Sequence, residues 1–62
     1  MGNSILSPGM RVRHPRQPDW GTGQVQSVIG DRITVNFEHA GKVVLDGRRV
    51  DLLPVFGLMD QS

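Results

Sequence analysis

Apolar and charged residues alternate in "MRVRH", with Met10 and Val12 on one side and Arg11 and Arg13 on the other. A period of two marks a half-buried strand, because successive side chains of an extended chain point to opposite faces. "RITVNF" carries the pattern most clearly. Ile33, Val35 and Phe37 share one face, with Arg32, Thr34 and Asn36 opposite. Before it, "QVQSVI" is less regular, since Val25 and Ile29 share a face and Val28 lies on the other. A two-residue turn at Gly30-Asp31 sets Val28 beside Ile33 and turns Val25 outward. A three-residue connection or a bulge returns Val25 and Ile29 to the core, and it is the expectation here because it buries two apolar residues and exposes one. "KVVLD" reads as a fourth strand and "VDLLPV" as a short fifth one that Pro54 ends.

Between these runs stand turn signals. Pro8-Gly9 precedes the first strand, and Gly30-Asp31 marks a hairpin. "EHAG" is a turn, and "GRR" a tight connection of about one 3₁₀ turn. Pro15 and Pro18 withhold backbone donors, so pairing stops in the long loop "PRQPDWGTG". Five short strands without a helical period predict an all-β fold, a small five-stranded antiparallel SH3-like barrel over residues 10–54. Residues 1–9 form an arm, and residues 55–62 a tail that docks only through Phe56 or Leu58. The expected core is Val12, Val25, Ile33, Val35, Phe37, Val43 or Val44, Leu45, Val50, and Leu52 or Leu53.

Composition narrows the chemistry. The chain has 62 residues and no cysteine. Disulfides, thiol catalysis and cysteine-based zinc sites are thereby excluded, and the composition suits a reducing cytoplasm. His14 and His39 are too few and too far apart for a metal site. No run approaches the ~20 apolar residues of a membrane span, and the N-terminus lacks a secretory pattern. "MGNSIL" has Leu6 where a myristoylation signal requires Ser or Thr. Gly21-Thr22-Gly23 lacks the third glycine and the helix of a dinucleotide site. "HAGKV" lacks the earlier glycine and the Ser or Thr of a phosphate-binding loop. His14, Asp19 and Ser27 supply the residue types of a hydrolytic triad, but so small a barrel fills its interior with side chains and leaves no pocket for one. Catalytic, cofactor-binding and metal-binding residues are therefore not expected, and the chain reads as a non-enzyme.

Trp20 is the one tryptophan, set between Pro18 and Gly21. It can close one end of the barrel as a lid, or anchor a partner, since tryptophan is enriched at interface hot spots. With Phe37 directed to the core, too few rings remain for an aromatic cage or a base-stacking platform. The net charge is +1. Arg11, Arg13 and Arg16 precede any acid, and Arg48 and Arg49 form a second basic pair. Asp19, Asp31, Glu38, Asp46, Asp51 and Asp60 punctuate the rest.

"RHP", "PDWGTGQVQS", "ITVNFEHAGK" and the closing "LLPV" resemble a family of short, functionally unassigned bacterial proteins common in alphaproteobacteria; the likeness covers residues 8 to 55. More distantly, Gly9, Arg11, Val12, Arg13, His14, Gly21, Gly23, Val25 and Phe37 resemble the "GxRVRHxxFGxGxV" opening of the Tudor-like domain that ends bacterial DNA-repair helicases. Transcription-repair coupling factors carry similar barrels that dock RNA polymerase. The resemblance implies a Tudor-like or SH3-like barrel and a place in DNA repair or transcription. It departs in the loop, where "PRQPDWG" is longer and Trp20 stands about where the helicase Phe would.

The resulting expectation is a monomeric, non-catalytic protein-interaction module without cofactor, metal or membrane. Its partner is a protein, RNA polymerase or a repair factor by the resemblance, held by Trp20, Arg13, Arg16, His14 and Asp19. The alternative is weak, sequence-independent nucleic-acid binding through Arg11, Arg13, Arg16, Arg32, Arg48 and Arg49. A near-neutral charge favours the protein partner, because phosphate binding usually brings a net basic domain.

Overall fold

Pro8 and Gly9 bend the chain into its first strand. Met10 N–H donates to Ser7 C=O (3.1 Å), and Gly9 takes φ +96°, which is open to glycine and costly for other residues. Gly9 N–H donates to Val25 C=O and Val25 N–H to Met10 C=O, both at 2.8 Å, so two residues face one in a glycine bulge. The computed structural model describes residues 6–55. Within them this turn is followed by buried packing on both sides, because Leu6 already belongs to the core. The rest of the expected arm, and the docking of Phe56 or Leu58, lie outside the described residues.

The strands are β1 (Arg11–Arg13), β2 (Thr22–Ile29), β3 (Arg32–Phe37), β4 (Gly41–Asp46) and β5 (Leu53–Val55), with one 3₁₀ turn at Pro18–Trp20 and no α-helix among the described residues. They form one sheet in the order β4-β3-β2-β1-β5, antiparallel at each step. The five antiparallel strands expected from the sequence are present, but β4 and β5 are edges not paired with each other. The sheet is open, where a closed barrel was expected. The three-residue β5 pairs with β1 alone.

Cross-strand rows build the core face. Val25, Val35 and Val43 lie side by side, as do Val28, Ile33 and Leu45, and Gly23, Phe37 and Gly41. Val12, Val25, Ile33, Val35, Phe37 and Leu52 are buried, with Met10, Val28, Val43, Leu45 and Val50 packed around them. Val43 rather than Val44, and Leu52 rather than Leu53, faces inward. Gly23 is opposite Phe37, and a Cβ there would lie 2.5 Å from Val35 Cγ1 and 2.6 Å from Phe37 Cδ1. The position needs glycine for space.

Two expectations are corrected. The β2–β3 turn is the two-residue one, Gly30-Asp31, with positive φ at Gly30 alone (+58°), the type II′ pattern that matches strand twist. It directs Val28 inward opposite Ile33 and leaves Ile29 71% exposed. The bulge exists but lies further back, between Val25 and Ser27. The extra residue, Gln26, resets the alternation so that Val25 and Val28 both face the core, Val25 buried and Val28 half-buried against it. Pro54 does not end the last strand either; it sits inside β5, opposite Val12. An edge strand tolerates it because its missing donor can face away from the ladder.

Candidate interaction site

The loop between β1 and β2 is held at several points by its own backbone. Gln17 N–H donates to His14 C=O (3.3 Å), and Trp20 N–H to Gln17 C=O (3.0 Å). Gly21 N–H donates to Pro18 C=O (3.2 Å), closing the 3₁₀ turn that Pro18 starts with its preset φ. The loop is also tied to the β3–β4 hairpin. His39 N–H donates to Trp20 C=O (3.0 Å), Glu38 N–H to Thr22 C=O (3.0 Å), and Thr22 N–H to Glu38 Oε1 (3.2 Å). Gly21 makes this docking possible. Its φ is +77°, and a Cβ would stand 2.8 Å from Glu38 Oε1 and 2.9 Å from His39 Cδ2.

Trp20 is thereby placed on the core face of the sheet rather than held away from it. Its ring centre is 5.2 Å from that of Phe37 at a 59° tilt, and 4.9 Å from that of His14 at 67°. The His14 pair is edge-to-face, in which the positive ring edge meets the negative face of its neighbour, and the Phe37 pair is tilted. Phe37 is buried beneath, His14 is buried beside it, and Trp20 itself is half-buried. Arg16 N–H donates to His14 Nδ1 (3.1 Å), so Nδ1 is an accepting nitrogen of the ring. Lid and anchor are compatible in this arrangement: the indole covers Phe37 and still keeps surface in water.

The sequence candidates separate in space. His14 and Trp20 touch. His14 is inside the cluster and acts as its support, not as a contact surface. Asp19 is exposed in the 3₁₀ turn, next to Trp20 in the chain. Arg16 is exposed and lines a shallow groove of about 200 Å³ with Pro15, Arg49, Val50 and Asp51. Arg13 is exposed on β1, between Thr22 and Leu53, on the face opposite the core. The seat that sequence reading missed is Phe37 and His14 under the indole. Phe37 was read as core only, although the 3₁₀ turn and Gly21 bring the loop back over it.

The six arginines do not form one basic face. Arg48 Nε lies 3.4 Å from Asp31 and 3.7 Å from Asp46, and Arg49 Nε 3.8 Å from Asp46. Arg32 is opposite Asp46 across the β3–β4 ladder. The Arg48 N–H donated to Asp46 Oδ1 (2.9 Å) holds that carboxyl below its ordinary value of 3.8; slight burial opposes this, and the Arg48 and Arg49 charges reinforce it. Arg11 lies elsewhere, on the exposed face of β1 opposite Gln24 and Val55. Among the described residues there is no cluster of three metal-ligating side chains, and no helix long and apolar enough to cross a membrane.

Fold and site together define a small all-β domain, a five-stranded antiparallel sheet with a tryptophan-bearing loop folded over one end of its core. The chain belongs to the family described as "Protein of unknown function (DUF3553)", whose model matches residues 6–55. No curated protein and no solved structure matches it.

Proposed function

We propose that this chain is a non-catalytic protein-interaction module of the SH3-like or Tudor-like kind, which grips its partner with the Trp20 loop and serves the transcription or DNA-repair machinery. The strand connectivity supports the fold part of this reading. β1 is flanked by β2 and β5, β2 to β4 follow as a meander, and the longest loop joins β1 to β2, as in a barrel of that type opened between β4 and β5. The observation that carries the function is the seating of Trp20. A half-buried indole, fixed by Phe37 and His14 and by the 3₁₀ turn, has already lost the freedom that binding would otherwise cost. Exposed Asp19 and Arg16 on the same loop supply polar contacts at the rim. The link to repair or transcription rests on the motif resemblance through Arg11, Val12, Arg13, His14, Gly21 and Gly23.

Direct nucleic-acid binding is less well supported, because Asp31, Asp46 and Asp51 stand among Arg32, Arg48, Arg49 and Arg16. A basic stripe that follows a phosphate backbone needs stretches free of acids. The test is capture from host lysate by immobilised wild-type protein and by Trp20→Ala, with and without nuclease. Capture that survives nuclease and is lost in the folded variant is expected. Equal capture by the folded variant, or capture that vanishes with nuclease, refutes the reading.

A further inference from the structure

The two edges of the sheet differ in what they offer. In an antiparallel ladder each residue turns both its N–H and its C=O to one side, and the next residue to the other. Val25 N–H bonds Met10 C=O, so Met10 and Val12 face β2 with their backbone groups, and Arg11 and Arg13 face β5. Leu53 and Val55 answer them, which leaves Pro54 as the outward position of β5. A proline there has no N–H to offer, so this edge is guarded against further pairing. On the other edge, Gly47 N–H donates to Asp31 C=O (2.6 Å), which brackets Arg32–Asp46 as a non-bonded pair. By alternation Thr34–Val44 and Asn36–Lys42 are non-bonded too. The backbone groups of Lys42 and Val44, and the N–H of Asp46, therefore point off the sheet. β4 carries no proline, and its register with β3 runs without a bulge. Val44 is 59% exposed, and Val43 and Leu45 are only half-buried although Val35 and Ile33 behind them are fully buried.

We propose that β4 pairs with β4 of a second copy of this chain, antiparallel about a twofold axis through Val44. Charge complementarity selects both occupant and register. With Val44 opposite Val44, Lys42 of each copy meets Asp46 of the other, and Val43 meets Leu45 on the core face. Shifting the partner two residues one way sets Lys42 against Val44 and Asp46 against Ala40. Shifting it the other way sets Lys42 against Arg48, a like charge. Opposite charges directly across a ladder are stabilising, and like charges destabilising. An interface of this kind is self-complementary, as a twofold dimer requires. It is also small, since one strand pair buries far less than the ~1,200–2,000 Å² of a stable complex. The dimer is therefore weak and concentration-dependent, and the monomer expected from the sequence is its dilute form. This pairing uses no residue of the Trp20 loop, and it stands or falls apart from the proposed partner.

The test is sedimentation of the full chain from about 10 µM to about 1 mM, a range that spans weak association. Wild type is expected to approach twice its 6.8 kDa mass. Val44→Lys and Val44→Glu, each checked for wild-type circular dichroism and thermal melting, are expected to weaken association at least tenfold when alone. Mixed in equal amounts they are expected to associate, because residue 44 faces itself across the axis. A wild type monomeric throughout the range overturns the proposal. So does a wild-type dimer unaffected by both folded variants, or a mixture no more associated than its components.

Discussion

Gly23→Ala adds one methyl group where the sheet has no room for it. The new Cβ would lie 2.5 Å from Val35 Cγ1 and 2.6 and 2.8 Å from two Phe37 ring carbons, all in the buried core. Carbon atoms pack at about 3.5–4.0 Å, so about 1 Å must be found in two directions at once. Overpacking of this kind costs ~1–3 kcal/mol. Fewer unfolded conformations return ~0.4–1 kcal/mol of that. A net loss of ~1–2 kcal/mol is large against the ~3–9 kcal/mol that about 0.05–0.15 kcal/mol per residue allows a chain of this length. Urea unfolding followed by Trp20 fluorescence should show it as a midpoint lowered by about 1–2 M, at a slope near 1 kcal/mol/M. The native emission should also shift, because Phe37 carries the indole at 5.2 Å. Val35→Ala removes the nearest obstructing atom. The double variant should therefore be more stable than the two single losses predict, by about 1 kcal/mol or more. A Gly23→Ala protein as stable as wild type, or strict additivity with Val35→Ala, refutes the packing argument.

Three further outcomes are expected. Val28→Asp should destabilise the fold by ~1–3 kcal/mol by setting a charge against the apolar core face, whereas Ile29→Asp should change it by less than ~0.5 kcal/mol; equal effects in thermal melts would contradict the position of the bulge. Trp20→Ala should cost ~1–3 kcal/mol in denaturant unfolding, below the ~3–5 kcal/mol of a fully buried tryptophan, and a value in that upper range would leave the indole no surface for a partner. Asp46 titrates below its ordinary 3.8 in the folded chain, so its ionised form adds stability above that value, and the contribution is lost as pH falls through the lower folded value. The melting difference between wild type and Asp46→Asn should thus be constant from about pH 5 to 7 and shrink to nothing in stronger acid; a difference that grows in acid would reverse the sign.

How much of this was legible depends on the range over which each feature is decided. Alternation within "RITVNF" depends on one strand, and Ile33, Val35 and Phe37 are inward as it requires. The face of Val28 and Ile29 depends on two strands. It follows from where the extra residue sits in the β2–β3 ladder, and no residue type near Gln26 marks that place. Pro54 illustrates the same limit. In the sequence it reads as a stop, because the side of the ladder its nitrogen faces is set by β1, some forty positions earlier in the chain. The candidate site was half-legible for a like reason. "PDWG" announces a stiff turn that presents a tryptophan, but the partners of that tryptophan come from the end of β1 and the end of β3. Only the hydrogen bonds from His39 to Trp20 and from Thr22 to Glu38 reveal that the loop is tied back over them.

The contrast between the edges extends that reasoning to function. Hydrophobic pattern separates the inner face of a sheet from the outer, but it does not tell an edge strand from a central one. "KVVLD" and "QVQSVI" look alike as strands, although β2 is paired on both sides and β4 on one. What distinguishes them is the parity of backbone hydrogen bonds, which Gly47 to Asp31 fixes at one end of the sheet and Val25 to Met10 at the other. The same parity gives Pro54 and Val44 opposite meanings. Each occupies an outward position on its edge, but one lacks a donor and the other has one. Substituting proline for Val44 should then remove an outward N–H while sparing the β3–β4 ladder, a change the β5 edge already carries. A folded Val44→Pro protein with its monomeric melting unchanged and its self-association lost would show that the outward backbone, and not the valine side chain alone, holds the second copy.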